Sequence, residues 1–292
     1  MTREITIAHS PDSDDAFMFY GLATRKVEAR GLKFVHTLCD IQTLNQRAME
    51  GEGWYDVTAI SIHAYPYVQE KYALLPSGGS VGEGYGPLIV ARHSYSVQDL
   101  DKVKVAIPGD LTTAYLVLKL FAPQIETELA PFDQIIPQLL EGKHDAGLII
   151  HEGQLTFSRS GLFRIVDLGK WWQETQRLPL PLGGNVIRRQ LGPEVTATVA
   201  GAIRDSIRYA LDHREEALEY AMQFARDLEP QLADKFVGMY VNERTLDYGD
   251  DGRRAVCRLL DLGHQAGIIP HPANVDFVCE EGEYVRAEDI AS

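Results

Sequence analysis

Short apolar runs alternate with helical periodicities along the first two thirds of the chain. The runs at 5–8, 32–39, 57–60, 88–91, 103–107 and 146–150 read as strands. Between them, apolar positions recur at helical spacing over 14–27, 43–50, 112–121 and 132–141. The helix at 14–27 opens on acidic residues, which suit the positive end of a helix. This alternation predicts βαβ units and a largely parallel sheet covered on both faces. From Pro193 onward the strand pattern stops, and 195–212 and 215–227 carry helical periodicity. The tail after Pro270 is polar and reads as loosely packed.

Two Gly-rich stretches, 77–87 and 182–185, interrupt the pattern. They flank a block with its own strand–helix alternation. The chain has 292 residues, which suits two domains at about 150 residues each. The predicted architecture is therefore α/β and two-lobed. Residues 1–91 plus 181–292 form a discontinuous first domain with a helical C-terminal part, and 92–180 form an inserted α/β domain. A ligand-binding cleft is expected between them.

Charge narrows the range of partners. Asp plus Glu number 42 against 28 for Lys plus Arg, a net charge of −14. Nucleic acid and anionic membrane surfaces both need a basic face, so neither is expected as a partner. A small anion remains open to the protein, because it sees local dipoles rather than net charge. The first residues hold no basic segment followed by an apolar run, and no apolar stretch is long enough to span a bilayer. A cytoplasmic protein is expected. Cys39, Cys257 and Cys279 are scattered, odd in number and without metal-type spacing, and read as reduced thiols.

Three strand ends carry candidate chemistry. Pro108 to Ala114 follows a strand and opens an apolar helix, so Thr112, Thr113 and free backbone N–H groups gather where a carboxylate or phosphate can bind. A plain N-cap explains one hydroxyl equally well. Without a lysine or a Walker pattern this is no nucleotide loop. His151 ends the apolar strand 146–150, where catalytic residues of open α/β sheets concentrate, and a histidine there can serve as general base. The alternative is a histidine that only ties down a loop. Glu152 is its neighbour, but adjacent residues on extended backbone point apart. The third strand end is Ala59, Ile60 and Ser61, where Ser61 either binds ligand or caps a short helix.

Other positions carry weaker signals. The loop 9–15 holds Asp12, Asp14 and Asp15, too crowded at one helix start to complete a metal shell, and Ser13 or Asp14 would cap the helix. Ser10 and Asp14 there, with Gly183 and Asn185 in the second Gly-rich stretch, are further candidates for binding. Tyr65, Tyr67, Tyr72 and Tyr85 read as rim and core packing rather than a cofactor box, and Trp171 and Trp172 read as core, with cleft lining the alternative. No Ser–His–Asp arrangement, GxGxxG or HExxH pattern occurs, so nothing calls for NAD, flavin, PLP or a metal.

Four segments together go further. HSPDSDDAFMFYGL at 9–22, DVTAISIHAYPYV at 56–68, PGDLTTAYLVL at 108–118 and DAGLIIHEGQLTF at 145–157 resemble the 1,4-dihydroxy-6-naphthoate synthase family of the futalosine route to menaquinone. The similarity runs to about Pro270. It implies a fold like the type II periplasmic binding proteins and a cofactor-independent carbon–carbon lyase. The implied substrate is cyclic dehypoxanthine futalosine, a spirocyclic carboxylic acid. The implied products are 1,4-dihydroxy-6-naphthoate and dihydroxyacetone. His151 stands at the position of the family's histidine base, and Thr112–Thr113 and Ala59–Ser61 match segments that contact substrate. Two rivals share the fold. Chorismate dehydratase, the sister enzyme of the same route, is expected to lack the histidine of the HEGQ turn at 151–154. A non-catalytic solute-binding or ligand-sensing protein for a small acid has no need of a base in its cleft.

Overall fold

The computed structural model describes residues 2–51, 53–225 and 228–290. Thirteen strands appear among them. They are β1 (Arg3–His9), β2 (Leu32–Leu38), β3 (Val57–Ser61), β4 (Tyr72–Leu74), β5 (Ser80–Gly82), β6 (Leu88–Ala91) and β7 (Lys104–Ile107). Then follow β8 (Glu126–Leu129), β9 (Ala146–Ile149), β10 (Phe163–Asp167), β11 (Leu180–Arg188), β12 (Asp276–Val278) and β13 (Tyr284–Arg286). The larger sheet runs β13-β12-β4-β11-β3-β1-β2, with β5 added on β11, and the smaller runs β10-β6-β9-β7-β8.

The sheets are mixed rather than largely parallel. β1 pairs in parallel with β2 and β3, and β7 with β8 and β9. The chain crossings supply several of the antiparallel pairs. β11 returns from the smaller lobe and inserts antiparallel between β3 and β4. β6 enters that lobe antiparallel to β9. The first crossing therefore falls before Leu88, not at 91 as the sequence pattern suggested, because β6 hydrogen-bonds into the smaller sheet.

Burial follows from the strand compositions. β3 is buried throughout on both faces, whereas edge strand β2 is at most half-buried. One core joins Ile60, Leu74 and Val186 of the larger sheet to Ile89, Val105 and Leu148 of the smaller, with Trp172 and Tyr65 fully enclosed. A second packs Ile5, Ile7 and Val57 against Val199, Ile203 and Ile207 of the long helix Pro193–Asp212.

Three expectations need correction. The periodic stretch 14–27 is two short helices, Ser13–Met18 and Tyr20–Ala23, ending before Arg25 at φ 59°. Phe17, Met18, Phe19, Tyr20 and Leu22 are all buried, so no polar face sustains one amphipathic helix. The stretch 215–227 holds the helix Arg214–Ala221 and a tight turn at Met222–Phe224, while Asp227 lies outside the described residues. The tail after Pro270 is not loose. β12 extends the larger sheet beside β4, and Phe277 and Val278 are buried. Among the described residues no helix is long and apolar enough to cross a membrane.

The carboxyl ends of β1, β3, β7 and β9 converge on the space between the two sheets. That is where ligands sit in open α/β folds.

Candidate active site

A cleft of about 790 Å³, its open mouth included, lies at this convergence. Its lining includes His151, Ala59, Ile60, Ser61, Thr112, Thr113, Ser10, Asp14, Gly183 and Asn185. Every position singled out for binding or catalysis in the sequence faces this one space.

His151 follows β9 with φ 57°, a left-handed conformation that is uncommon for a residue with a side chain. Its ring meets the edge of Phe132 at 5.1 Å. Nδ1 stands 3.0 Å from Asp12 Oδ2, and Asp12 is 1% exposed while His151 is 18% exposed. A carboxylate can only accept, which assigns the proton to Nδ1 and leaves Nε2 as the basic nitrogen. Asp12 is held in turn by the Ser10 hydroxyl, which donates to the same oxygen. The Ser10 N–H donates to Asp15 Oδ2 at 2.7 Å. Asp12 is the N-cap residue of the helix Ser13–Met18, yet its side chain makes no capping bond. The cap expected from Ser13 or Asp14 does not form, because the helix starts at Ser13 and both residues lie within its first turn. Glu152 accepts the Ser13 hydroxyl at 3.4 Å.

The opposite wall is set by the helix Thr113–Phe121. Thr112 is its N-cap, accepting from the Tyr115 N–H at 3.2 Å while its hydroxyl donates to the Gly109 carbonyl at 2.7 Å. Thr113 Oγ1 accepts the His63 N–H at 3.2 Å, and the His63 ring lies 3.2 Å from the Thr112 carbonyl. Burial holds the His63 imidazole down to about 4. The first backbone N–H groups of this helix have no intrahelical acceptor, and Thr112, Thr113 and Ala114 line the cleft.

Ser61 stands at the N-cap position of the turn Ile62–Ala64, but its side chain makes no capping bond there. Asn45, fully buried, donates to Ser61 Oγ at 3.0 Å and accepts the Ser61 N–H at 2.8 Å. The Asn45 amide also reaches the Leu111 carbonyl at 3.3 Å and so ties the two lobes together. A second tie is Tyr240 Oη, which donates to Gln154 Oε1 at 2.8 Å. Both Tyr240 and Gln154 line the cleft.

The acidic end is strongly perturbed. Burial pushes Asp14 well above the usual carboxylate range, and the charges of Asp15, Asp12 and Glu152 add to the effect. Asp15 is pushed up to about 7, again chiefly by burial. Beneath the loop, His9 is held down to about 3 by burial and by His36 beside it. Perturbed titratable groups gathered in a cleft mark a functional site.

A family described as menaquinone biosynthesis matches residues 5–265. The chain belongs to that menaquinone-biosynthesis family. A 1,4-dihydroxy-6-naphthoate synthase of Thermus thermophilus is 41% identical over 269 residues, covering 92% of this chain and 97% of that protein. A crystal structure of an Archaeoglobus fulgidus protein is 45% identical, covers 91% of this chain and 98% of the other, and superposes with a TM-score of 0.87. At 13% identity, an alkanesulfonate-binding protein of Xanthomonas axonopodis shares the fold, covering 92% of this chain and 94% of that one with a TM-score of 0.68. The fold of this menaquinone-biosynthesis family member is thus periplasmic-binding-protein-like.

The aromatic residues divide as expected for packing. Tyr65, Tyr72 and Trp172 are core, and the Trp172 indole donates to the Pro179 carbonyl at 3.0 Å. Trp171 packs on Phe121. Asn45, Gln154 and Tyr240 escaped the sequence reading. Gln154 sat in the quoted HEGQ turn, the one signal that pointed to it.

Proposed function

We propose that this member of the family is a carbon–carbon lyase. It converts cyclic dehypoxanthine futalosine to 1,4-dihydroxy-6-naphthoate and dihydroxyacetone, with His151 as general base. The observation that supports this most directly is the His151–Asp12 pair at the cleft. A solute-binding protein has no use for an oriented imidazole with one nitrogen kept basic.

In this reading the substrate carboxylate lies at the start of the helix Thr113–Phe121. Thr113, free N–H groups and the Ser61 hydroxyl supply donors there, in an otherwise acidic molecule. His151 Nε2 removes a proton from the sugar-derived part of the substrate. A retro-aldol-like cleavage then releases the three-carbon fragment, and the proton held by His151 is available to it. Aromatisation of the new ring drives the step. The protein's share is placement of the base, orientation of the acid and exclusion of water.

The test is turnover by purified protein, following naphthoate by chromatography and dihydroxyacetone by enzymatic assay. Equal amounts of the two products are expected. If neither forms and chorismate is dehydrated instead, the chain is the sister enzyme. If a small acid binds but nothing turns over, the lyase reading fails.

A further inference from the structure

Asn185 is 2% exposed and sits on β11, where it lines the floor of the cleft. Its register partner on β3 is Ala59, another lining residue. The side-chain amide is anchored at its nitrogen. Nδ2 donates to the Gly78 carbonyl at 3.2 Å and contacts Met18 Sδ at 3.5 Å. This fixes which way the amide points, because the flipped form would set two carbonyl oxygens against each other. Gly78 makes the close approach possible: its φ is +88°, and a Cβ there would lie 2.1 Å from Asn185 Nδ2. Asn185 Oδ1 is left buried with no hydrogen-bond partner among the described residues. Buried polar atoms in native proteins are nearly always paired, so an orphan beside a ligand cleft calls for a partner that the ligand brings.

Two positions along the same strands, Ser61 stands opposite Gly183. Its Oγ accepts from Asn45, which leaves the Ser61 hydroxyl proton to be donated onward. The floor thus offers a donor at Ser61 and an acceptor at Asn185. A carboxylate matches the first only, and the second requires an O–H or N–H.

We propose that Asn185 Oδ1 accepts a hydrogen bond from a hydroxyl of the bound acid. It makes the cleft selective for hydroxylated acids over acids of the same outline without the hydroxyl. This deepens the function proposed above and rests on its claim that the cleft binds a small acid.

The experiment is calorimetric titration with two probes: 1,4-dihydroxy-6-naphthoate, kept reduced, and naphthalene-2-carboxylate, which keeps the rings and carboxylate but lacks both hydroxyls. Wild type binds the hydroxylated acid about 10-fold more tightly or better. Asn185→Leu, close in volume, loses that preference and keeps its affinity for the plain acid. Asn185→Ala serves the same purpose if the leucine variant does not fold, with melting curves as control. A preference that survives in the folded variant overturns the proposal. So does equal affinity of wild type for the two acids, or no binding of either. Turnover is read separately. A wild type that prefers the hydroxylated acid but does not convert the cyclic substrate keeps the role of Asn185 and removes the lyase.

Discussion

Asp12 Oδ2 and His151 Nδ1 stand 3.0 Å apart, although Asp12 follows β1 of the larger sheet and His151 follows β9 of the smaller. The histidine and the carboxylate paired with it therefore belong to different lobes. The pair exists only while the lobes are together, so any opening of the cleft also separates these two side chains. Asp12→Asn removes the obligate acceptor that keeps the proton on Nδ1. A fall in kcat of about 100-fold is expected, with KM little changed, because the carboxylate site proposed at Thr113 is untouched. Steady-state kinetics of the variant check this, and an unchanged kcat would show that His151 needs no such partner.

Asn45 acts at one remove. It touches Ser61 through both ends of its amide and reaches Leu111 across the lobes. Asn45→Ala leaves the buried Ser61 N–H unpaired and frees the Ser61 hydroxyl to rotate. We expect a stability loss of about 2 kcal/mol, seen as a melting temperature lower by roughly 5 °C. KM should rise more than kcat falls. A variant with wild-type KM would exclude Ser61 from substrate binding.

Buried acids and buried histidines pull stability in opposite directions with pH. Asp15, pushed up to about 7 by burial, keeps its proton in the folded state where the unfolded chain, titrating near 4, has lost it. The stability it contributes is complete below about 4 and disappears as pH rises toward 7. His9 and His63, held down to about 3 and about 4 by burial, do the reverse. They stay neutral when folded, so their contribution is lost as pH falls below about 6.5. Asp15→Asn removes only the first effect. Its melting temperature relative to wild type should improve from pH 4 to pH 7. A constant difference across that range would mean that Asp15 ionises normally in the fold.

The sequence carried the strand ends well. A hydroxyl or a histidine at or soon after the end of an apolar run, as at Ser61, Thr112 and His151, is a local signal, and all three line the cleft. Pairing between lobes was not legible. Asp12 and His151 lie far apart in the chain, and in sequence Asp12 looks like any acidic residue at a helix start. Asn45 looks like a surface polar on an amphipathic helix, yet it is fully buried. The Gly-rich stretch at 182–185 read as a linker but is the middle of β11. Gly184 admits the Tyr248 hydroxyl, which would lie 2.2 Å from a Cβ there. Glycine here marks a close contact rather than a turn. β12 and β13 are only three residues each, too short for alternation to show.

The central claim is that His151 is the base of a lyase reaction. The most direct measurement is the turnover rate of His151→Ala beside wild type, with cyclic dehypoxanthine futalosine as substrate and naphthoate followed by chromatography. The prediction is product from wild type and a rate loss of about 100-fold or more in the variant. Product from both at equal rates would contradict it.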